Sequence, residues 1–434
     1  MTTSVSPTPI VPGRWRKLSL ISAGLWADNN EGSILGTLAP VIIAALALPL
    51  SALGLLNAIG KATSIVFGPI WAWIARRTNR KTTFVIAVAL TGVSTAANGL
   101  SQDYGQIIAF YALSSIFISA ALPIVTEIAT DLFDEQSRGR ASGYTWGAIS
   151  ILGAVGGPLI GQLANVPDGW RYGFFGWGAL TLVVSLVIAV FFQDPGVGAS
   201  EPTTALISAQ TRRENERLTR AKLKSLFRIP TFTLMLVQRL LSGHLLIAGF
   251  GITFLVQQYH FATATAAIVS LPNGIGFIVG ALAGGFVTDK LQARDPRRGR
   301  VIVLQSAQFL FAVAAILGTQ FDYESIGVYA VFWALMGLFQ GVNPGVNRPI
   351  VAAVTPPELR GAAFALMLSV FEALAYVIFN LAAGYLGEWI GLGVVMLLIP
   401  GALMLVNGVY CTLLYRTYPR DVAALDQQLR SRAS

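Results

Sequence analysis

Gly68-Pro-Ile-Trp-Ala-Trp-Ile-Ala-Arg76-Arg77-Thr-Asn79-Arg80-Lys81 stands between two long apolar runs. A matching stretch, Gly285-Phe-Val-Thr-Asp289-Lys290 with Arg297-Arg298-Gly-Arg300 close behind, stands at the same place in the second half. Each basic loop follows the second apolar run of its half. A chain that repeats its topology in a membrane does so to build two bundles around one central path. Transport is therefore the leading reading before any substrate is considered.

Composition points the same way. Of 434 residues, 54% are hydrophobic and 12% charged, against about 25% charged in soluble domains. There are too few charges to coat the two or three domains a soluble chain of this length would form. The 44 glycines fit closely packed membrane helices. The net charge of +9 lies beside apolar spans, which argues against a nucleic-acid partner. A single Cys411 and two histidines leave no disulfide, no metal cluster and no redox chemistry to expect. The chain lacks a GxxxxGK[ST] loop and an HExxH pair, so ATP-driven pumping and metal hydrolysis are not expected. Gly274-Ile-Gly276 falls within an apolar span and reads as packing. The expectation is a protein that is not an enzyme and holds no cofactor.

A membrane helix needs about 20 mostly apolar residues. That length predicts twelve spans, at 18–47, 53–75, 82–101, 104–132, 139–164, 170–193, 231–258, 262–288, 300–319, 325–354, 361–387 and 391–415. The positive-inside rule tests the count. With both termini cytoplasmic, 26 of the 30 Lys and Arg residues fall on the inner side, only Arg171 falls outside, and Lys61, Arg239 and Arg348 fall within spans. An odd error in helix number would scatter these clusters. The expected fold is thus an all-α membrane protein of two pseudo-symmetric six-helix bundles, 1–193 and 231–434, joined by a cytoplasmic linker at 194–230. The linker's second part, with Leu218, Leu223, Leu226 and Phe227 among basic residues, reads either as a helix on the inner membrane surface or as a solvated charged segment. Val422, Leu425 and Leu429 place a surface helix in the tail. Asp28 and Glu31 make the first apolar run too polar for a cleaved signal.

At the basic loops the chain resembles the major facilitator superfamily, over nearly its whole length. The family's loop carries a glycine, an aspartate four residues on, a basic residue, a second glycine and two basic residues. Here Ala72 replaces the first glycine, Arg76 stands at the aspartate position, Asn79 replaces the second glycine, and Arg77, Arg80 and Lys81 match. The second half keeps Gly285, Asp289 and Lys290. The resemblance implies that these loops latch the two bundles on the inner side. Arg76 departs from the family's aspartate contacts, and Asp131, Asp134 and Glu135, at the inner end of the fourth span, are the candidate partners for Arg76, Arg77 or Arg80. The alternative is that they only fix topology. Arg138-Gly139 and Arg360-Gly361 open equivalent spans and support duplication. Gly153-Ala-Val-Gly156-Gly157-Pro158-Leu-Ile-Gly161 resembles the family's antiporter motif, which implies a bendable, closely packed fifth span; ordinary glycine packing is the alternative. Glu31-Gly-Ser33 followed by Pro40 resembles a segment of drug:proton antiporters and of spinster-like lipid transporters. The fourth span lacks the arginine common in drug:proton antiporters.

Charge within a bilayer costs about 2.5–3.5 kcal/mol on insertion scales and marks a pathway, relay or gate. Asp28 and Glu31, three apart, share one helix face near the midplane. Glu372 lies at similar depth in the eleventh span. These three are the proton-exchange candidates, since a carboxyl in a low-dielectric cavity can exchange a proton near neutral pH; the alternative is a static ion pair with Lys61 or Arg239. Candidates to face the substrate are Asn30, Lys61, Glu127, Arg239, His244, Asn343, Asn347 and Arg348. The family fold implies that spans 1, 4, 7 and 10 line the cavity and that 3, 6, 9 and 12 face lipid. The latter four carry no charge in their central turns. Gating candidates are Arg76, Arg77, Arg80, Lys81, Asp131, Asp289, Lys290, Gly157 and Pro158. The expected function is alternating access in a bacterial-type cytoplasmic membrane. It is proton-coupled export of a small organic or amphiphilic compound by a monomer, with uptake of an organic anion as the alternative.

Overall fold

The computed structural model describes residues 11–133, 135–196, 199–200 and 220–433. Asp134 and the side chains of Asn30 and Glu135 lie outside the described residues. The described residues are helical throughout, with no strand. The first half contains α1 (Arg14–Ala45), α2 (Leu50–Arg77), α3 (Arg80–Asn98), α4 (Tyr104–Ile118), α5 (Ala121–Leu132), α6 (Glu135–Gly161) and α7 (Gly169–Phe191). The second half contains α8 (Arg220–Leu226), α9 (Pro230–Leu240), α10 (Leu246–Tyr259), α11 (Thr263–Arg294), α12 (Gly299–Gln320), α13 (Ile326–Val354), α14 (Arg360–Phe364), α15 (Glu372–Ile390), α16 (Leu392–Met396), α17 (Met404–Tyr410) and α18 (Leu414–Ala433). Two π-helical turns, Ala365–Phe371 and Leu397–Leu403, join α14 to α15 and α16 to α17.

Local chemistry sets these ends. Asn79, at the position where the family pattern has glycine, caps α3 by accepting from the Thr82 N–H at 3.0 Å. Asp103 caps α4 in the same way through Gln106. Each cap satisfies a backbone donor that a helix start leaves open. Pro230 opens α9, where its missing N–H costs nothing. The tail helix α18 is held by Asp421, which accepts from the Thr231 N–H at 2.7 Å, and by Tyr418, whose hydroxyl accepts from Arg300.

Among the described residues, nine helical stretches are long and apolar enough to cross a membrane. Helices α1, α3 and α6 fall outside that set although they run 32, 19 and 27 residues. Their polar content has a use, since α1 and α3 carry the carboxylate site described below.

The chain forms two compact units. One comprises residues 1–35, 63–156 and 165–217; the other comprises 36–62, 157–164 and 218–434. In the first, Phe84, Ile124, Phe133 and Phe192 form an apolar core. There α3 and α7 approach so closely that a Cβ on Gly178 would meet the Gly92 carbonyl at 2.6 Å. In the second, Phe232, Met235, Ile350 and Tyr418 are core residues. Its α11 and α13 interlock through Gly276, Gly280 and Gly284 on one helix and Gly337 and Gly341 on the other, each set against the facing backbone. Small residues every fourth position let membrane helices meet at backbone distance. Large apolar side chains such as Leu186, Leu282 and Phe286 point outward, as lipid-facing residues do.

Candidate functional site

Two buried carboxylates with opposite surroundings define the candidate site. Asp28 and Glu31, one turn apart on α1, are 1% and 0% exposed. Glu31 accepts from Thr95 Oγ1 at 2.6 Å, from Ser114 Oγ at 2.7 Å and, more weakly, from Asn98 Nδ2 at 3.4 Å. Thr95 and Asn98 lie one turn apart on α3, and Ser114 faces them from α4. No cation lies within ion-pair distance of Glu31 or Asp28 among the described residues. The donors are neutral, so they can serve both a carboxylate and, by turning a hydroxyl, a carboxylic acid. Asp28 has no hydrogen-bond partner for either oxygen among the described residues, although Thr91 lies beside it. A buried acid without partners is costly in its charged form. Trp177 closes this end of the site by donating Nε1 to the Ala27 carbonyl at 2.9 Å and packing edge-on to Trp26.

Thr91, Thr95 and Asn98 were not among the sequence candidates. Their signal is a polar stripe at helical spacing in a span without charge, and it turns one face of α3 toward α1 rather than toward lipid.

The first basic loop builds an ion cluster in the same unit. Arg80, whose side chain is 6% exposed, donates Nη1 to Asp131. It also holds Asp194 in a fork, Nε to Oδ2 at 3.1 Å and Nη2 to Oδ1 at 2.6 Å. Glu127 joins at 3.7 Å and accepts from Arg76 Nε at 3.2 Å. The structure therefore places Glu127 in this cluster. Asp194, read in the sequence only as the start of the linker, is a principal partner. Arg77 instead stacks on the Trp73 ring at 4.2 Å, and Lys81 is half-buried. The second loop is unlike the first: Asp289 and Lys290 are exposed, and Asp295 caps the backbone of Arg297 and Arg298.

In the second unit Arg239 donates Nη2 to Glu372. The two are 133 residues apart in sequence, and α9 packs against the π turn that leads into Glu372. The seventh predicted span is broken here. A 3-10 turn, Gly243–Leu245, separates α9 from α10. Asn407 donates to the Gln238 and Leu241 carbonyls at 3.2 Å, satisfying groups that the break frees. Gly243 has no room for a side chain, because a Cβ there would strike the Ile399 carbonyl of the second π turn. His244 is buried, packs edge-on to Phe311 at 5.8 Å, and has no partner for Nδ1 among the described residues. Gln308, one turn before Phe311, donates to Asn343 Oδ1 at 2.9 Å. Asn347 follows Asn343 one turn on and is buried. Arg348 is exposed.

Other sequence candidates fall elsewhere in the second unit. Lys61 Nζ lies 5.9 Å from the Tyr376 ring centroid. Near it, Asn57 Nδ2 donates to Asn380 Oδ1 at 3.0 Å, where α2 and α15 meet across Gly54 and Gly384. Neither asparagine stood out in the sequence. In α6, Gly157 meets nothing within 4 Å, and the close approach is made by Gly161, where a Cβ would lie 2.6 Å from Ala267.

Residues 21–304 and 296–432 match the model of the Major Facilitator Superfamily. Multidrug resistance protein 3 of Bacillus subtilis is 24% identical over 342 residues, which span 68% of this chain and 64% of that protein. The chain thus covers less than two thirds of that relative's length. The 4-hydroxybenzoate transporter PcaK of Pseudomonas aeruginosa is 25% identical over 190 residues, 43% of this chain and 40% of that protein. The crystal structure of a bacterial homolog to the human lysosomal transporter Spinster, inward-facing and unoccupied, has a TM-score of 0.79 at 17% identity and covers 94% of this chain and 98% of that chain. At such identity the likeness is one of fold alone.

Proposed function

The chain belongs to the Major Facilitator Superfamily, and from that premise we propose that this multi-pass membrane transporter exchanges protons for a small organic or amphiphilic compound and exports it. In this reading twelve helices cross a bacterial cytoplasmic membrane, both termini are cytoplasmic, 1–193 and 231–434 form the two bundles, and the monomer is the working unit. The observation that carries the proposal is the setting of Glu31. It is fully buried, held by neutral donors and paired with no cation among the described residues. A static ion pair would not be built that way. A group that must gain and lose a proton would be, because its partners accommodate both forms. Asp28, one turn away, is the neighbour through which the proton reaches or leaves Glu31. The Arg80 cluster is the gating element of this reading. The similarity to a multidrug resistance protein supports export.

Proteoliposomes loaded with a pH-sensitive dye test this. Across a panel of cationic dyes, lysolipids and organic anions, a transported compound should trigger proton movement in the wild type and not in Glu31→Gln. Proton movement unchanged in that variant contradicts the proposal. A second reading, uptake of an organic anion, draws on Arg239 and on the similarity to a 4-hydroxybenzoate transporter. It predicts proton entry together with benzoate.

A further inference from the structure

Arg239 is more buried than its partner and less satisfied. Its side chain is 5% exposed, whereas that of Glu372 is 24% exposed. Glu372 takes the Nη2 donor, while Nε and Nη1 are buried without an acceptor among the described residues. A guanidinium presents five N–H donors in a planar fork that matches the two oxygens of a carboxylate or phosphate. Donors left desolvated without an acceptor cost free energy, and native structures seldom leave them so without a reason. His244 lies close enough to Arg239 to feel its charge, and its Nδ1 also lacks a partner among the described residues. A neutral imidazole supplies one donor and one acceptor. Two unsatisfied polar side chains therefore lie beside the break in the seventh span, where the backbone is irregular, and irregular backbone within a membrane stands where it is buried in protein or lines a cavity.

Glu372 covers the exposed side of this arrangement. It follows directly on the π turn Ala365–Phe371, and such turns in helices concentrate at functional positions. We propose that Arg239 recognises an oxyanion on the transported compound, a carboxylate or a phosphate, and that Glu372 is the resident acceptor which this oxyanion displaces. The proposal rests on the transporter reading but holds for either direction of movement. It deepens that reading by giving the compound an acidic group.

The test uses the full-length protein in nanodiscs and four probes: dodecanoate, dodecyl phosphate, inorganic phosphate and, as cationic control, dodecyltrimethylammonium. Binding is read by calorimetry for the wild type, Arg239→Gln, Glu372→Gln and the double variant, which keeps the charge balanced if a single variant folds poorly. Glu372→Gln should bind an oxyanion about tenfold more tightly, since the competing charged acceptor is gone. Arg239→Gln and the double variant should weaken binding about tenfold or more. Inorganic phosphate binding as well as the dodecyl compounds would identify the free oxyanion as sufficient; binding of the dodecyl compounds alone would identify an amphiphile headgroup. Oxyanion binding untouched in the folded double variant, or no oxyanion binding at all, overturns the inference. Failure here is separable from failure of the proton-coupled reading. Proton movement lost in Glu31→Gln without any oxyanion binding sinks only the inference. Oxyanion binding at Arg239 with normal proton movement in Glu31→Gln sinks only the proton assignment.

Discussion

Glu31 and Glu372 are both carboxylates placed deep in apolar helices, yet the molecule treats them differently. Glu31 is sealed from solvent and held by two hydroxyls and an amide. Glu372 is partly exposed and held by a buried arginine. An arginine fixes the charge of its partner, because it does not give up its own. Hydroxyls fix nothing, because they can donate or accept. In the proposed reading this contrast puts proton exchange on α1 and leaves charge compensation to the pair in the second unit.

The largest expected effect breaks that contrast on the side of Glu372. Glu372→Gln strands a buried guanidinium and should destabilise the fold by about 3–5 kcal/mol, read as a lowered midpoint in denaturant melts of nanodisc-held protein. The double variant Arg239→Gln, Glu372→Gln should recover most of that loss. A single variant as stable as the wild type would mean that the arginine is already satisfied from elsewhere. The next effect concerns the first basic loop. Arg80→Gln removes the fork that holds Asp194 and the contact to Asp131, and should cost about 2 kcal/mol or more. Its neighbour provides the control. Arg76 is 67% exposed, so Arg76→Ala should change stability by less than about 1 kcal/mol. Equal losses at the two positions would contradict the buried cluster.

The smaller effects sharpen the Glu31 side. Ser114→Ala and Thr95→Val each remove one donor to the carboxyl and should cost about 1–2 kcal/mol. Each should also move the pH midpoint of transport relative to the wild type. A shift in neither variant would mean that these hydroxyls do not touch the group that titrates.

Much of this architecture could be read in the chain. The apolar runs mark the helices, and the predicted span 53–75 lies within α2 at Leu50–Arg77. The i, i+3 spacing of Asp28 and Glu31 puts both on one face before any coordinate is known. What escaped is pairing. Periodicity says which face of a helix a residue occupies but not which helix meets that face. Arg239 with Glu372 and Arg80 with Asp194 are joined only by tertiary packing. Asp194 looked like the first residue of a linker because it follows the apolar run and precedes Pro195-Gly196. Thr91, Thr95 and Asn98 were overlooked for another reason: neutral polar residues are common in membrane helices and signal nothing until an acid is placed against them. The break in the seventh span was hidden too: Ser242-Gly243-His244 interrupts the apolar run only briefly, and the backbone there is held by Asn407 from far along the chain.

The most direct test of the central claim is proton movement in dye-loaded proteoliposomes, comparing wild type, Glu31→Gln and the charge-balanced Arg239→Gln, Glu372→Gln variant. The account predicts that substrate-triggered proton movement vanishes in Glu31→Gln and that a proton signal survives in the charge-balanced variant at raised substrate concentration. Proton movement intact in Glu31→Gln and lost only with Glu372 would contradict it and transfer the proton to the second unit.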